Sequence, residues 1–271
     1  MSEIFPESEL IERLALEDLH RAATPEIIHA LRLKLIRRGS QLISVAAELP
    51  PSAVVVNRTL GLGIGAKATE NDLSTLLAEY RDVGVERFFV HRHPTARPAG
   101  LTEMLHRAGL QKARGWQKFS RGPENLPLWK DMMDVREIGS DYAAEFAHIA
   151  CQAFDLGEKA MPWLARLPGR EGWHVFMSFL DGQPAGVGSV YISNGLAWTD
   201  FGATAPDFRR RGCQSILLAR RIQFAFEEGC RRVYTCTGEE VPGDPQHSFH
   251  NIVRMGFTKD YVRDNYALPP D

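Results

Sequence analysis

A mixed α/β fold built from two similar halves is what this sequence predicts, and three observations carry the prediction. Short apolar runs that read as strands alternate with amphipathic stretches that read as helices. Asp181-Gly182 is a tight-turn pair that joins two strand-like runs, 175–179 and 185–192, into an antiparallel hairpin. Near the middle of the 271 residues, Arg121-Gly-Pro-Glu-Asn-Leu-Pro127 interrupts every regular pattern, which divides the chain into residues 1–127 and 128–271.

In the first half, Leu10, Ile11, Leu14, Leu16 and Leu19 make residues 8–23 an amphipathic helix that packs on its own domain. A β-branched run spans 53–57. Thr69 stands three residues ahead of Asp72, the spacing of a helix cap, and opens a helix through Leu73, Leu76, Leu77 and Tyr80 that Gly84 ends. Residues 87–91 read as a buried strand, and 101–108 as a helix closed by Gly109. A further strand runs through Trp116 and Phe119.

The second half opens with an extended piece at 134–138 and a helix through Tyr142, Phe146 and Ile149. After the hairpin come a strand at 198–204, a long helix from Cys213 to Glu228 stopped by Gly229, and a strand at 233–237. Asp244-Pro245 then starts a helix that ends at Met255-Gly256.

Composition narrows the function. With 32 basic and 34 acidic side chains the formal net charge is −2, so no overall field draws a polyanion such as nucleic acid, and any anion site must be local. The four cysteines contain no C-x-x-C pair, and with the nine histidines they match no zinc pattern. They read as reduced thiols, with no metal, in a cytoplasmic protein. No apolar run approaches the roughly 18 residues of a membrane span, and the acidic start of the chain is not a secretory signal.

One local anion site stands out. Arg209-Arg210-Arg211-Gly212-Cys213-Gln214 lies between a predicted strand and a predicted helix. An arginine run alone reads as a solvated surface. At a helix start, however, unpartnered backbone N–H groups and the positive end of the helix dipole favour an anion, and Gly212 lets a phosphate approach closely.

From Asp134 onward the order of elements, the segment Pro206-Asp-Phe-Arg209-Arg-Arg-Gly212-Cys-Gln214 and the block Ser248-Phe-His-Asn251-Ile-Val-Arg-Met-Gly256-Phe257 resemble the GNAT superfamily of acyltransferases. The resemblance implies a GNAT fold, with acetyl-CoA or another acyl-CoA as co-substrate and direct transfer of the acyl group to the amine of a small molecule or peptide. It makes Arg209, Arg210, Arg211, Gly212, Cys213, Gln214 and Ser215 the pyrophosphate loop. Ala203 and Thr204 become the strand edge beside the pantetheine arm, and Gln246 and Ser248 the opposite wall. Gln214 stands where the family has a small residue. The implied enzyme is a monomer or homodimer.

The chemistry needs a base for the amine, and Asp200 is the acid on the 198–204 strand; by alternation it shares a face with Trp198, Gly202 and Thr204. Asp200 could equally bind the ammonium group, serve a structural hydrogen bond or face solvent. Ile252 stands where family members often carry a tyrosine acid. His250 is the candidate in its place, with His247, Ser248 and Tyr266 nearby, and each histidine also fits a surface or core role. Residues 156–172, with Met161, Trp163 and the following Trp173, fall where the family places its acceptor-binding segment, and suit a pocket wall or inter-domain packing equally.

Residues 69–119 echo the second half of a GNAT domain without its arginine loop, since Gly61-Leu-Gly-Ile-Gly65 is a weak phosphate motif on its own. The chain thus reads as two GNAT-like domains in tandem, a degenerate one at 1–127 and a catalytic one at 128–271. A CoA-binding sensor without catalysis is the alternative, and a nucleic-acid module is disfavoured by the charge balance.

Overall fold

The computed structural model describes residues 5–127 and 133–269. In the first half, helices α1 (Glu7–Arg21) and α2 (Pro25–Leu31) precede strands β1 (Leu33–Arg38), β2 (Gln41–Ala46) and β3 (Arg58–Leu60). Helix α3 (Glu70–Arg81), β4 (Phe89–Arg92), α4 (Leu101–Arg107) and β5 (Gln111–Arg121) complete it. The second half holds β6 (Asp134–Glu137), α5 (Ala143–Ala153), α6 (Met161–Leu164), β7 (Trp173–Leu180), β8 (Gln183–Ser193) and β9 (Leu196–Thr204). It ends with α7 (Cys213–Glu227), β10 (Arg232–Gly238), α8 (His247–Arg254) and β11 (Thr258–Ala267).

The eleven strands among the described residues form one mixed sheet in the order β1-β2-β3-β4-β11-β5-β10-β9-β8-β7-β6. The two halves mirror each other within it. Parallel β3 and β4 are joined through α3, as parallel β9 and β10 are joined through α7. Each half then ends in a strand that sits against the other half's sheet: β5 pairs with β10, and β11 pairs with β4. The exchanged strands pair antiparallel with each other along most of their length, which closes the seam.

A shared core reinforces that seam. Ile11, Leu42 and Leu60 of the first half belong to the same buried cluster as Trp173, Val187 and Trp198 of the second. Helix α1 is the piece laid across it, and its apolar spacing reflects that position rather than packing within the first half alone. Trp163 is fully buried beneath α1 and donates its indole N–H to the Leu19 carbonyl at 2.7 Å. For this residue of the 156–172 segment, inter-domain packing is the role.

Most local signals behave as their chemistry requires. Thr69 and Asp72 form a reciprocal capping box, with Asp72 N–H donating to Thr69 Oγ1 at 3.1 Å and Thr69 N–H to Asp72 Oδ2 at 2.9 Å. The β-branched run 53–57 is not a strand: it forms turns, and the Asn57 side chain caps the end of β2 by bonding both backbone groups of Ala46. Strands β1 and β2 and helix α2 have no counterpart in the sequence reading. Strand β2 is buried along its whole length, so its Ile43-Ser44-Val45 alternation carries no in-out polarity signal.

Candidate active site

Strands β9 and β10 pair only at their beginnings, Leu196 to Trp198 against Arg232 to Tyr234. One side-chain bridge follows, from Thr235 Oγ1 to the Thr199 carbonyl at 3.3 Å, and beyond it the strands separate. Their separation leaves a cleft of about 220 Å³ floored by Thr199 to Gly202 and Thr235 to Thr237. Helix α7 supplies Gln214, Leu218 and Arg221 to one wall, and α8 supplies His247, Ser248, Asn251 and Ile252 to the other. Ser215 Oγ donates to Asn251 Oδ1 at 2.7 Å and ties the walls together.

A bulge in β9 shapes the floor. Ser189 pairs with Asp200 and Val187 with Ala203, so three steps on β9 oppose two on β8. Phe201 absorbs the extra residue in the left-handed region, at φ +45°. Alternation therefore holds from Trp198 to Asp200 and changes parity there. It is Ala203, not Gly202 or Thr204, that stands in register with Asp200. Arg221, buried on α7, fixes the bulge by donating from Nη1 to the carbonyls of Ser189 and Asp200, both at 3.1 Å, and burial lowers its pKa to about 10. The sequence reading passed over Arg221; an arginine among Leu217, Leu218 and Ile222 on a buried helix face was its signal.

At the mouth of the cleft, Arg209, Arg210 and Arg211 are exposed, and Gly212 caps α7 at φ +89° with nothing within 4 Å of where a Cβ would stand. The first backbone N–H groups of α7 have no partner within the helix, and no side chain caps them. Gln214 lies within the cleft itself. Thr204 Oγ1 is buried without a hydrogen-bond partner among the described residues, an acceptor and donor left free on the strand edge. Gln246 is the left-handed residue before α8, and its amide is used locally, on the Val241 carbonyl at 2.6 Å. His250 is exposed and lines neither cavity, whereas His247, one helical turn earlier with Asn251 on the same face, borders the cleft.

A second cavity, of about 210 Å³, continues from the cleft toward the first half and shares Phe154, Asp200, Phe201, Cys236 and Thr237 with it. Its walls are Trp116, Trp173 and Trp198 with Leu16 and Leu19 of α1, and Arg58 of β3. Asp200 sits at the junction. Its Oδ2 accepts the Trp198 indole N–H at 3.0 Å and its Oδ1 the Phe201 backbone N–H at 2.8 Å. Burial pushes the Asp200 carboxyl above its ordinary range, and Arg58 and the two donors offset only part of that. A raised carboxylate is a stronger base for an amine.

Behind Arg58 lies a buried ionic cluster. Glu12 accepts from Arg58 at 2.5 Å, from Lys118 at 2.6 Å and from Arg263 at 2.6 Å, while Glu9 accepts from Arg263 at 2.8 Å. The ammonium of Lys118 also stands 4.2 Å from the centre of the Trp198 ring, beneath the cavity wall. The sequence reading did not foresee this cluster, because its members come from α1, β3, β5 and β11, far apart in the chain.

At the mirrored position of the first half the turn after the strand is closed by packing. The segment Gly61–Gly65 follows β3 as the arginine loop follows β9, but a Cβ on Gly63 would lie 2.6 Å from the Arg97 carbonyl oxygen. The segment is packed against 93–97 instead, with Arg97 N–H on the Gly63 carbonyl and Ala68 N–H on that of Arg97. The start of α3 is closed by its own capping box and carries Glu70 and Asp72, the wrong charge for a phosphate.

Residues 142–257 match the family model "Acetyltransferase (GNAT) family". No curated protein matches the chain in sequence. Among solved structures, a GCN5-related N-acetyltransferase from Kribbella flavida superimposes with a TM-score of 0.67 at 16% identity, covering 99% of this chain and 98% of that one. One from Sphaerobacter thermophilus gives a TM-score of 0.57 at 13% identity, over 95% and 90% of the two chains. A tandem GNAT protein from the clavulanic acid biosynthesis pathway gives 0.53 at 14%, over 100% and 98%. These likenesses establish a GNAT fold along the full chain, and the arrangement of the tandem proteins. Among the described residues no helix is long and apolar enough to cross a membrane, and no cluster of three or more His, Cys, Asp or Glu is placed to hold a metal.

Proposed function

We propose, on the match of residues 142–257 to the GNAT acetyltransferase family model, that this protein transfers an acetyl or other short acyl group from acyl-CoA to a primary amine of a small molecule or peptide, at a single centre in its second half. The observation that carries this reading is the position of Asp200. It stands where the cleft between β9 and β10 meets the aromatic cavity, so one carboxylate borders both the cofactor side and the acceptor side.

The residues present suit acyl-CoA. The N–H groups at the start of α7 and the charges of Arg209, Arg210 and Arg211 favour the pyrophosphate and ribose phosphate. The separated edge of β9, with Ala203 and the free hydroxyl of Thr204, suits the amide groups of pantetheine. Acyl-CoA supplies the thioester. Ser248 and His247 border the far wall.

In the reaction the acceptor ammonium gives a proton to the Asp200 carboxylate. The freed amine nitrogen forms a bond to the thioester carbonyl carbon, the carbon–sulfur bond breaks with its electron pair leaving on the CoA sulfur, and the second proton lost from the nitrogen ends on that thiolate, giving the amide and free CoA thiol. A thiolate is a tolerable leaving group near neutral pH, so the isoleucine at 252 in place of a tyrosine does not block the step. His247 is better placed than His250 to supply a proton to the sulfur.

The test is to incubate the protein with acetyl-CoA and a panel of primary amines while following free thiol, with the acylated product identified by mass spectrometry. Amine-dependent thiol release is expected. Tight CoA binding without release by any amine would instead make the protein a CoA sensor.

A further inference from the structure

We infer that the acceptor is a free amino acid with an aromatic or large apolar side chain, its amine at Asp200 and its carboxylate at Arg58. The inference rests on the acyltransfer reading and specifies its second substrate. Three features of the aromatic cavity support it.

The first is Arg58. It lines the cavity and is only 5% exposed; its Nη1 is held by Glu12, its Nε is closed off from the cavity, and its Nη2 makes no hydrogen bond to the described residues. A buried donor left unpaired carries a desolvation cost that a bound acceptor removes. A carboxylate is the natural acceptor for a guanidinium already fixed in place on one side.

The second is charge. The buried cluster holds Arg58, Lys118 and Arg263 against Glu9 and Glu12, an excess of one positive charge. Asp200 is the anion on the other side of the cavity, and Arg221, buried and bonded to the Asp200 carbonyl, offsets it, so the sum stays at one positive charge. Nearby Cys236 is neutral, its thiol pushed up to about 12 by burial, and His91 and His93 are held neutral below their ordinary range, chiefly by burial. A zwitterion adds no net charge to this buried space, whereas an ammonium ion without a carboxylate adds a second unbalanced positive charge in a low dielectric.

The third is shape and lining. The volume of about 210 Å³ is below the roughly 300–1,000 Å³ of sites for drug-sized ligands, which points to one small molecule rather than a length of peptide. Trp116, Trp173, Trp198 and Phe154 line it with aromatic surface suited to an apolar side chain. A peptide N-terminus would bring no carboxylate to Arg58.

The experiment compares phenylalanine, phenylalaninamide and phenethylamine, and leucine with isoamylamine, on the full-length protein loaded with acetyl-CoA. Two signals are read: thiol release, and quenching of tryptophan fluorescence as each compound enters the cavity. The free amino acids should give kcat/KM and affinity at least about tenfold above their amides and amines, the discrimination expected of a site built around a carboxylate partner. In Arg58→Met that preference should fall toward unity through KM, and Arg58→Lys should restore part of it. Should Arg58→Met fail to fold, the comparison of compounds on the unaltered protein decides alone. Equal use of amines and amino acids would overturn the inference and leave acyl transfer standing. Amino-acid quenching with the stated preference but no thiol release would uphold the inference and remove the acyltransfer reading.

Discussion

The indole of Trp198 donates its N–H to the carboxylate of Asp200 two residues along the same strand, at 3.0 Å, just ahead of the bulge at Phe201, and both residues line the aromatic cavity. This bond orients the carboxylate but does not repay its burial, which keeps the Asp200 carboxyl above its ordinary range. The native state then binds the proton more tightly than the unfolded chain, so this group costs stability as pH rises from the unfolded value through the folded one. Asp200→Asn should therefore melt at a higher temperature than the parent at neutral pH, and the gap should close as pH falls below that window. A lower melting temperature at neutral pH would show that Asp200 is a structural anchor.

Gly212→Glu should abolish CoA binding with the fold intact. A side chain there meets no atom within 4 Å, so the structural cost is the left-handed backbone alone, about 1–2 kcal/mol. The added carboxylate opposes the anion at the start of α7. Titration calorimetry with CoA reads the loss and far-UV circular dichroism the fold; unchanged affinity would move the cofactor away from this loop.

Glu12→Gln should destabilise the protein by about 3–5 kcal/mol, the cost of breaking a buried charge network from one side, measured by urea unfolding. Glu12 receives Arg58, Lys118 and Arg263 together. These cations outweigh burial and hold its carboxyl well below the ordinary carboxylate range. A lowered carboxyl contributes stability that is fully present above its unfolded pKa and is lost as pH falls through the folded one. The parent should accordingly stay folded through pH 4.5 and unfold in stronger acid, and Glu12→Gln should unfold at a higher pH.

Residues 1–127 and 128–271, produced separately, should each fail to fold cooperatively and should form a soluble complex when produced together. Each fragment lacks the strand that closes its sheet, because β5 pairs with β10 and β11 with β4. An unpaired internal edge is an aggregation template. Independent cooperative melting of either fragment would show that the exchange is dispensable.

How far the sequence speaks depends on the range of the interactions involved. The Thr69–Asp72 cap, the Asp181-Gly182 hairpin and the Gly212 start of α7 depend on neighbours within a few residues, and each was legible. The strand exchange was not, since nothing in the period of β5 or β11 names a partner more than a hundred residues away. Asp200 stands out in the sequence by type and position, but the residues that share its face beyond the bulge do not, because alternation takes no account of Phe201 at φ +45°. Arg58 and the Glu12 cluster were missed for the same reason as the strand exchange: buried ion pairs leave no periodic trace. His247 and His250 stand about one helical turn apart on α8, and which of them borders the cleft depends on how that helix faces, which residue type alone does not give.

Asp200→Asn also tests the central claim, when binding and turnover are measured on the same preparation. The account predicts that its CoA affinity matches the parent while amine-dependent kcat/KM falls by about 10²–10⁴-fold, the usual contribution of a positioned general base. Full turnover by Asp200→Asn would contradict it.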